Sequence, residues 1–395
     1  MIRFNTPYTP DAVDYDAFRF TVLHDHFNRM MNAGEIQCAN YCLARDGKVF
    51  ANTALGKFCY RPEDTRETQP DTIQKIASIT KLFCTVAIFK LLEDGRIRLN
   101  QPVGDILPEF NTPPFNGITP AHLLSHTSGL PPDPGCFENK YFKSPWYFIE
   151  NAGDTPWLEA ALSCGLRKKT GEEWAYCSFG FAVLGEIVSR VTGRFVHEYI
   201  TENILKPCGM NDSGFMEDRP KNAADRERKI PFAKRLLVRD EETERGIADF
   251  ITGKEPSVSV WDSVPSTAGG MYSTAEDLCK FGTMLLNKGT INGNRVLGRK
   301  TVERMTEQYT TSDIRDYCWG AGGVPRAYAL GPDLRRTPDS LYSKGTFFHE
   351  GAGACCLIID PQEKLVASWF VPFKNDQWYA HGLYNAAAIM WSGLR

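Results

Sequence analysis

The sequence has no apolar run long enough to span a bilayer, no lopsided charge, no Cys-x-x-Cys pair and no Gly-x-Ser-x-Gly stretch. The first absence removes a membrane-spanning helix, which needs about 20 apolar residues. Residues 1–13 also lack a basic start before an apolar run and a small-residue cleavage site, so a cytoplasmic protein is expected. With 45 Lys and Arg against 48 Asp and Glu, the formal net charge of -3 gives no general attraction to nucleic acid or to an anionic membrane, and neither is expected as a partner. The 12 cysteines are scattered, as suits a reducing compartment, and none has zinc-ligand spacing. His24 and His26 lie two apart, which on a helix turns them to different faces. No metal and no cofactor are therefore expected. The missing Gly-x-Ser-x-Gly argues against the nucleophile elbow of an α/β-hydrolase. Internal repeats and low-complexity tracts are absent too.

What remains is an ordinary globular composition, with 395 residues, 42% apolar and 24% charged, enough for one large domain or two joined ones. The chain is organised around residues 75–95. Leu82, Val86, Phe89 and Leu92 recur at helical spacing and Gly95 stands where a left-handed cap closes a helix, so the stretch reads as one helix with Ser78 at its mouth. Ser78 and Lys81 then share a face, one turn apart. A serine is a weak nucleophile until a base takes its proton, and an amine can do so when desolvation or the positive end of a helix dipole lowers its pKa. The N–H of a residue at a helix mouth is also free to hold a developing oxyanion. The spacing alone is weak, because 18 serines and 20 lysines in 395 residues give about 0.9 such pairs by chance, and one is present. By itself the tetrapeptide favours a serine cap beside a solvated lysine.

Around this helix the pattern changes along the chain. Residues 14–33 read as an amphipathic helix, and 36–45 and 48–55 as strands joined by the hairpin signal Asp46-Gly47. At 118–130, Thr119 caps a short helix that begins at Pro120 and stops at Gly129. His126 and Ser128 read locally as a turn satisfying its own backbone. Tyr176 falls in a loop just before an apolar helix at 181–191, where a phenol can reach a cleft; taken alone, a core-edge tyrosine held by one hydrogen bond explains it as well. Residues 218–260 carry no periodic pattern and read as a polar surface insertion, a lid or a solvated loop. Another helix follows 273–277, capped by Ser273 or Thr274. Strands return at 343–349, 354–360 and 365–372, and a helix at 379–394 closes the chain. The expected architecture is α/β (α+β), an antiparallel sheet built from both ends of the chain and flanked by helices, with a mostly helical domain inserted. The boundaries fall at 1–75 and 341–395 for the sheet domain and 76–340 for the helical one, with the active site between them.

Four stretches occur in an order that resembles the serine β-lactamase and penicillin-recognising superfamily, in its branch of class C β-lactamases, family VIII esterases, D-amino-acid peptidases and acyltransferases. They are Ser78-Ile79-Thr80-Lys81, the run from His122 to Leu130, Tyr176-Cys177-Ser178, and His349-Glu350-Gly351-Ala352; Gly269-Gly270-Met271-Tyr272-Ser273-Thr274 before a helix is a fifth. The resemblance covers about residues 20 to 392. It implies a β-lactamase/transpeptidase-like fold, Ser78 as the acylated nucleophile, Lys81 as its proton partner and Tyr176 as a proton shuttle. It also implies that the strand carrying Gly351 lines the cleft and that the N–H of Ala352 is the oxyanion donor opposite that of Ser78. Such a donor is commonly worth about 3–4 kcal/mol of barrier. A tyrosine, unperturbed near ~10, acts as a base only if a cation such as Lys81 stabilises its phenolate.

Two positions depart from the family's pattern. Ser178 stands where an Asn is usual, and His349 and Glu350 stand where Lys-Thr precedes the glycine. A fixed lysine would pair with the carboxylate of a β-lactam or a peptide C-terminus, whereas a histidine is mostly neutral at pH 7 and Glu350 would repel an anion if it faced the cleft. The expected substrate is thus an uncharged small-molecule acyl compound, and the expected activity a serine hydrolase or acyltransferase on small esters or amides. A β-lactamase or D-amino-acid peptidase is the enzymatic alternative, and a silent binding or assembly module the non-enzymatic one. His349 has two readings: a cation that switches on below ~6.5 to favour anionic substrates, or a plain hydrogen bond at a strand edge. The oligomeric state is left open.

Overall fold

Asp46 and Gly47 both take positive φ, 52° and 74°, the conformation of a tight turn whose twist matches that of paired strands. They join β1 (Cys38–Arg45) to β2 (Lys48–Gly56) in antiparallel register. At the far end of the chain, β3 (Phe347–Gly351), β4 (Cys355–Asp360) and β5 (Leu365–Phe370) form a meander. β5 then pairs with β1, giving one antiparallel sheet in the order β3-β4-β5-β1-β2. The expected sheet from both termini is thus the sheet observed. β3 starts four residues later than expected and runs on to Gly351. The computed structural model describes residues 2, 4–137, 142–215, 223–254, 259–372 and 381–395.

Each face of the sheet is covered by helices, because its strands are buried on both sides. On one face lie α1 (Phe18–Asn32) and the helix Ala386–Trp391, whose Phe20, Leu23, Phe27 and Met390 pack with Tyr41, Ile358 and Trp369. The expected helix at 379–394 is shorter than read, a π turn at His381–Asn385 followed by that α segment; positions 379 and 380 lie outside the described residues.

The opposite face positions the site. α2 (Thr80–Glu93) is buried almost all round, the pattern of a helix in the middle of a core. Each such Leu, Val or Phe contributes about 1.5–3 kcal/mol of burial. Between α2 and the sheet runs the helix Ala275–Leu286, whose Phe281 stacks on Phe83 with ring centroids 3.9 Å apart. Its Gly282 is required, since a Cβ there would stand 2.5 Å from a Val366 methyl on β5. α3 (Ser178–Thr192) packs on the other side of α2, so one apolar core continues from sheet to helices.

The polar region 218–260 differs from its sequence reading. Within it lie two helices, α4 (Ala223–Ala233) and α5 (Glu241–Thr252). Asp240 caps α5 by accepting from the Thr243 N–H at 2.7 Å, and Gly253 closes it at φ 75°. Ile247, Phe250 and Ile251 turn inward with Phe232 to pack beside Ala233, Leu236 and Ile73. The segment between the helices is tied down by parallel bridges, Leu236 to Ile73 and Val238 to Cys59. Among the described residues, no helix is long and apolar enough to cross a membrane.

Candidate active site

Ser78 does not open an α-helix directly. It sits in a 3-10 turn, Ala77–Ile79, that feeds into α2. Ala77 takes φ 43°, a left-handed conformation that costs a residue with a Cβ about 1–3 kcal/mol and persists only where the surroundings hold it. They do so here, because the Ile76 N–H donates to Met271 O at 2.9 Å and the Cys355 thiol to Ile76 O at 3.2 Å. The turn lifts Ser78, half-buried, out of a helix that is otherwise sealed in the core.

Lys81 is 0% exposed. Its Nζ donates to Ser78 Oγ at 3.1 Å and to the Ala268 carbonyl at 2.8 Å. Desolvation is the main force on its pKa and pushes it down to about 8, with the Asp133 carboxylate opposing. The amine therefore holds the nucleophile's hydroxyl and has a substantial neutral fraction just above neutrality. The solvated lysine that the tetrapeptide alone suggested is not what is found.

Tyr176 is brought to the same place from α3's entry loop. Its backbone is pinned on both sides: Ala175 N–H donates to His126 O and Asp133 N–H to Tyr176 O, both at 2.9 Å. The ring lies against His126 at 4.5 Å and beneath Lys81, whose Nζ is 4.8 Å from the ring centroid. Its hydroxyl lies close enough to Ser78 for that side chain to act on its proton. Burial, with Tyr328 and Asp133 adding to it, raises this phenol well above its ordinary 10. A resting phenolate stabilised by Lys81, the route expected from sequence, is thus disfavoured, since the ammonium stands over the ring face and the phenol is held neutral.

β3 closes the site from the other side. A Cβ at Gly351 would stand 2.4 Å from Ile76 O and 3.3 Å from the Ala77 Cβ, so only glycine lets the strand's backbone press against the serine turn. Ala352, the next residue, begins the three-residue connection to β4 and is exposed. His349, two residues back, points to the same face, its ring 6.5 Å from Tyr176. Glu350 does not. Strand alternation sends it to the face of α1, the side of Phe348 and Cys356, where it pairs with Arg335 at 3.2 Å. Its expected place at the cleft is therefore corrected.

Of the two readings of His349, the plain hydrogen bond at the strand is the one observed, and the switchable cation is not. His349 is 4% exposed, and its Nδ1 donates to Glu350 O at 2.7 Å. Burial, helped by the charge of Lys81, pushes its pKa down to about 4. A lowered histidine pKa means the ring stays neutral until the pH falls through that value. The ratio of kcat/KM for a substrate with a leaving-side carboxylate to that for its methyl ester is accordingly expected to stay flat from pH 8 to pH 6. A ratio that climbs as the pH falls would contradict this placement.

Ser178, in the family's Asn position, is held by Asp133. The Asp133 carboxylate accepts from Ser178 N–H at 2.8 Å and Ser178 Oγ at 2.5 Å, so it caps α3 from outside and fixes the hydroxyl. Trp146 Nε1 also donates to it, at 3.3 Å. Asp133 and His126 are the two site residues that local reading missed. His126, at φ 57°, accepts from Cys177 N–H at 3.1 Å and cushions the tyrosine ring, a role its own turn does not reveal. The sequence offers no signal for Asp133, which meets Ser178 from 45 residues away. Among the described residues no cluster of His, Cys, Asp and Glu is arranged to hold a metal ion. His24 and His26 are engaged instead by the Tyr41 hydroxyl and the His381 carbonyl.

A serine hydroxyl held by a buried amine, with a phenol beside it and the exposed Ala352 just past the facing strand, is equipped for acyl transfer. A family model described as beta-lactamase matches residues 23–380. Protein Rv1367c of Mycobacterium tuberculosis is 30% identical over 336 residues, covering 78% of this chain and 79% of that protein. Protein flp of Staphylococcus aureus is 32% identical over 200 residues, 49% of this chain and 38% of flp. Among solved structures, simvastatin synthase (LovD) from Aspergillus terreus superposes with a TM-score of 0.71 at 18% identity, covering 95% of this chain and 98% of that one. A family VIII carboxylesterase gives 0.68 at 19%, covering 96% and 99%. A penicillin-binding protein homologue from Caulobacter crescentus gives 0.68 at 20%, covering 95% and 97%. At these identities the structural likeness is one of fold.

Proposed function

The chain belongs to the beta-lactamase family, and from that premise we propose that it is a serine hydrolase or acyltransferase that works on small esters or amides through an acyl-enzyme on Ser78. The observation that carries the reading is the buried Lys81 amine, 3.1 Å from Ser78 Oγ with its pKa lowered to about 8.

In this reading neutral Lys81 takes the Ser78 proton as Oγ attacks the acyl carbonyl. The N–H groups of Ser78 and Ala352 hold the oxyanion. Tyr176, neutral throughout the resting state, passes a proton between Ser78, Lys81 and the departing group by exchanging hydrogen bonds rather than by carrying charge. Water or a second acyl acceptor then meets the same groups in reverse. Esters and amides with no carboxylate at the position facing His349 are favoured, because that ring is neutral where a lysine would otherwise pair an anion. This sets the reading apart from a β-lactamase or D-amino-acid peptidase.

The test is pre-steady-state kinetics with 4-nitrophenyl butyrate. A burst of nitrophenol matching the enzyme concentration, with ping-pong kinetics when an alcohol acceptor is added, is the expected result. A linear trace from time zero across chain lengths, with no turnover of amides, would contradict it.

A further inference from the structure

The cation of the family's third motif, replaced here by His349, has a counterpart just past the other end of β3. Arg239, in the strap between α4 and α5, lies over the β3–β4 connection: a Cβ on Gly353 would meet its Nη1 at 3.0 Å and Nη2 at 3.2 Å. The arginine and Gly353 are half-buried, and Ala352 beside them is exposed. Among the described residues, no ion pair or hydrogen bond engages this guanidinium. Asp240, next in the chain, is committed to the cap of α5. The charge of Arg239 also reaches the Asp240 carboxylate and the thiols of Cys38 and Cys355, both thiols held up at about 12 by burial. A partly desolvated guanidinium with no carboxylate in hydrogen-bond contact favours an anion from outside.

β3 sets the direction from which that anion comes. Four residues of chain span at most ~13 Å even fully extended, which bounds the separation of His349 from Gly353, and Gly351 between them presses against the Ser78 turn. Tyr176 packs at the His349 end. On the acyl-enzyme reading, the group Tyr176 protonates leaves at that end, and the Gly353 end is left for the acyl remainder.

We propose that Arg239 binds a negatively charged group at the far end of the acyl chain, which makes the substrate class an ester or amide of an acid-tailed acyl group such as a dicarboxylic acid. The assignment rests on the acyl-enzyme reading above. It uses a guanidinium rather than an imidazole, so the preference it creates is expected to be the same across pH 6 to 8.

The experiment compares mono-4-nitrophenyl adipate with the same compound methylated on its distal carboxyl. The ratio of the two kcat/KM values cancels any loss common to both. Wild type is expected to favour the free acid by about tenfold or more, unchanged between pH 6 and 8. Arg239→Ala is expected to bring the ratio to about 1, and Arg239→Lys to keep part of it. Arg239→Glu is expected to invert it and to favour a chain ending in trimethylammonium, a gain that misfolding cannot produce. A wild-type ratio near 1, or a preference that survives in Arg239→Ala and Arg239→Glu, overturns the proposal while leaving the acyl-enzyme intact. Failure of both esters to release nitrophenol in a Ser78-dependent burst overturns the acyl-enzyme reading and this assignment with it.

Discussion

Ser78→Ala is expected to lower kcat/KM for an activated ester by about 10^4-fold or more while leaving the fold intact. The change removes one oxygen from a half-buried residue and no core atom, so a stability loss above about 1 kcal/mol is not anticipated. Steady-state kinetics and thermal melting separate the two effects. Residual activity should come from binding and from the oxyanion donors, because the backbone N–H groups of residues 78 and 352 survive the substitution. If the variant keeps more than a few per cent of the activity, another nucleophile is at work. Ser125 and Ser128 are poor candidates on geometry. Ser125 Oγ donates to Ala121 O at 2.7 Å, and Ser128 is buried in the turn that precedes Leu130.

Lys81→Met is expected to cost about 10^3-fold in kcat, the scale of a lost general base. Methionine has nearly the same length and no charge, and the Lys81 side chain is already buried, so packing is largely kept. The pH profile carries the sharper statement. For wild type, Lys81 must be neutral to act as the base, and its pKa is about 8. Below that value log kcat/KM is expected to rise with unit slope, bending to a plateau above it. In Lys81→Met the bend disappears. Tyr176, whose phenol is held well above 10, supplies no replacement bend in this range. A wild-type profile flat from pH 6 to 9 would show that the amine is not the group that takes the proton.

The parts of this picture that were legible in the sequence are those set by local chemistry. Asp46-Gly47 dictates a turn with two positive φ values, and with it the β1–β2 pair. The spacing of Leu82, Val86, Phe89 and Leu92 gives α2, and four ordered motifs bring Ser78, Lys81 and Tyr176 into one hypothesis. What local chemistry does not determine is which distant group neutralises which. Asp133 reaches Ser178 and Arg239 reaches Gly353 only because the folded chain carries them there. Nothing at either position in sequence distinguishes them from solvated charges. The two readings of His349 could not be separated for the same reason, since a strand-edge histidine open to solvent and one buried there read identically. Glu350 is a different case: the two-residue period of a strand already places it opposite His349. The helices α4 and α5 escaped because only a few apolar residues in each, such as Phe232, Ile247 and Phe250, face inward within an otherwise charged stretch.

The central claim is that Ser78 becomes covalently acylated. Intact-mass spectrometry after exposure to a fluorophosphonate, followed by peptide mapping, tests it most directly. One phosphonyl group per wild-type chain, mapped to Ser78, with no adduct on Ser78→Ala and a strongly slowed reaction on Lys81→Met, is the expected result. An adduct that persists in Ser78→Ala, or one that forms on wild type at another residue, would contradict the account.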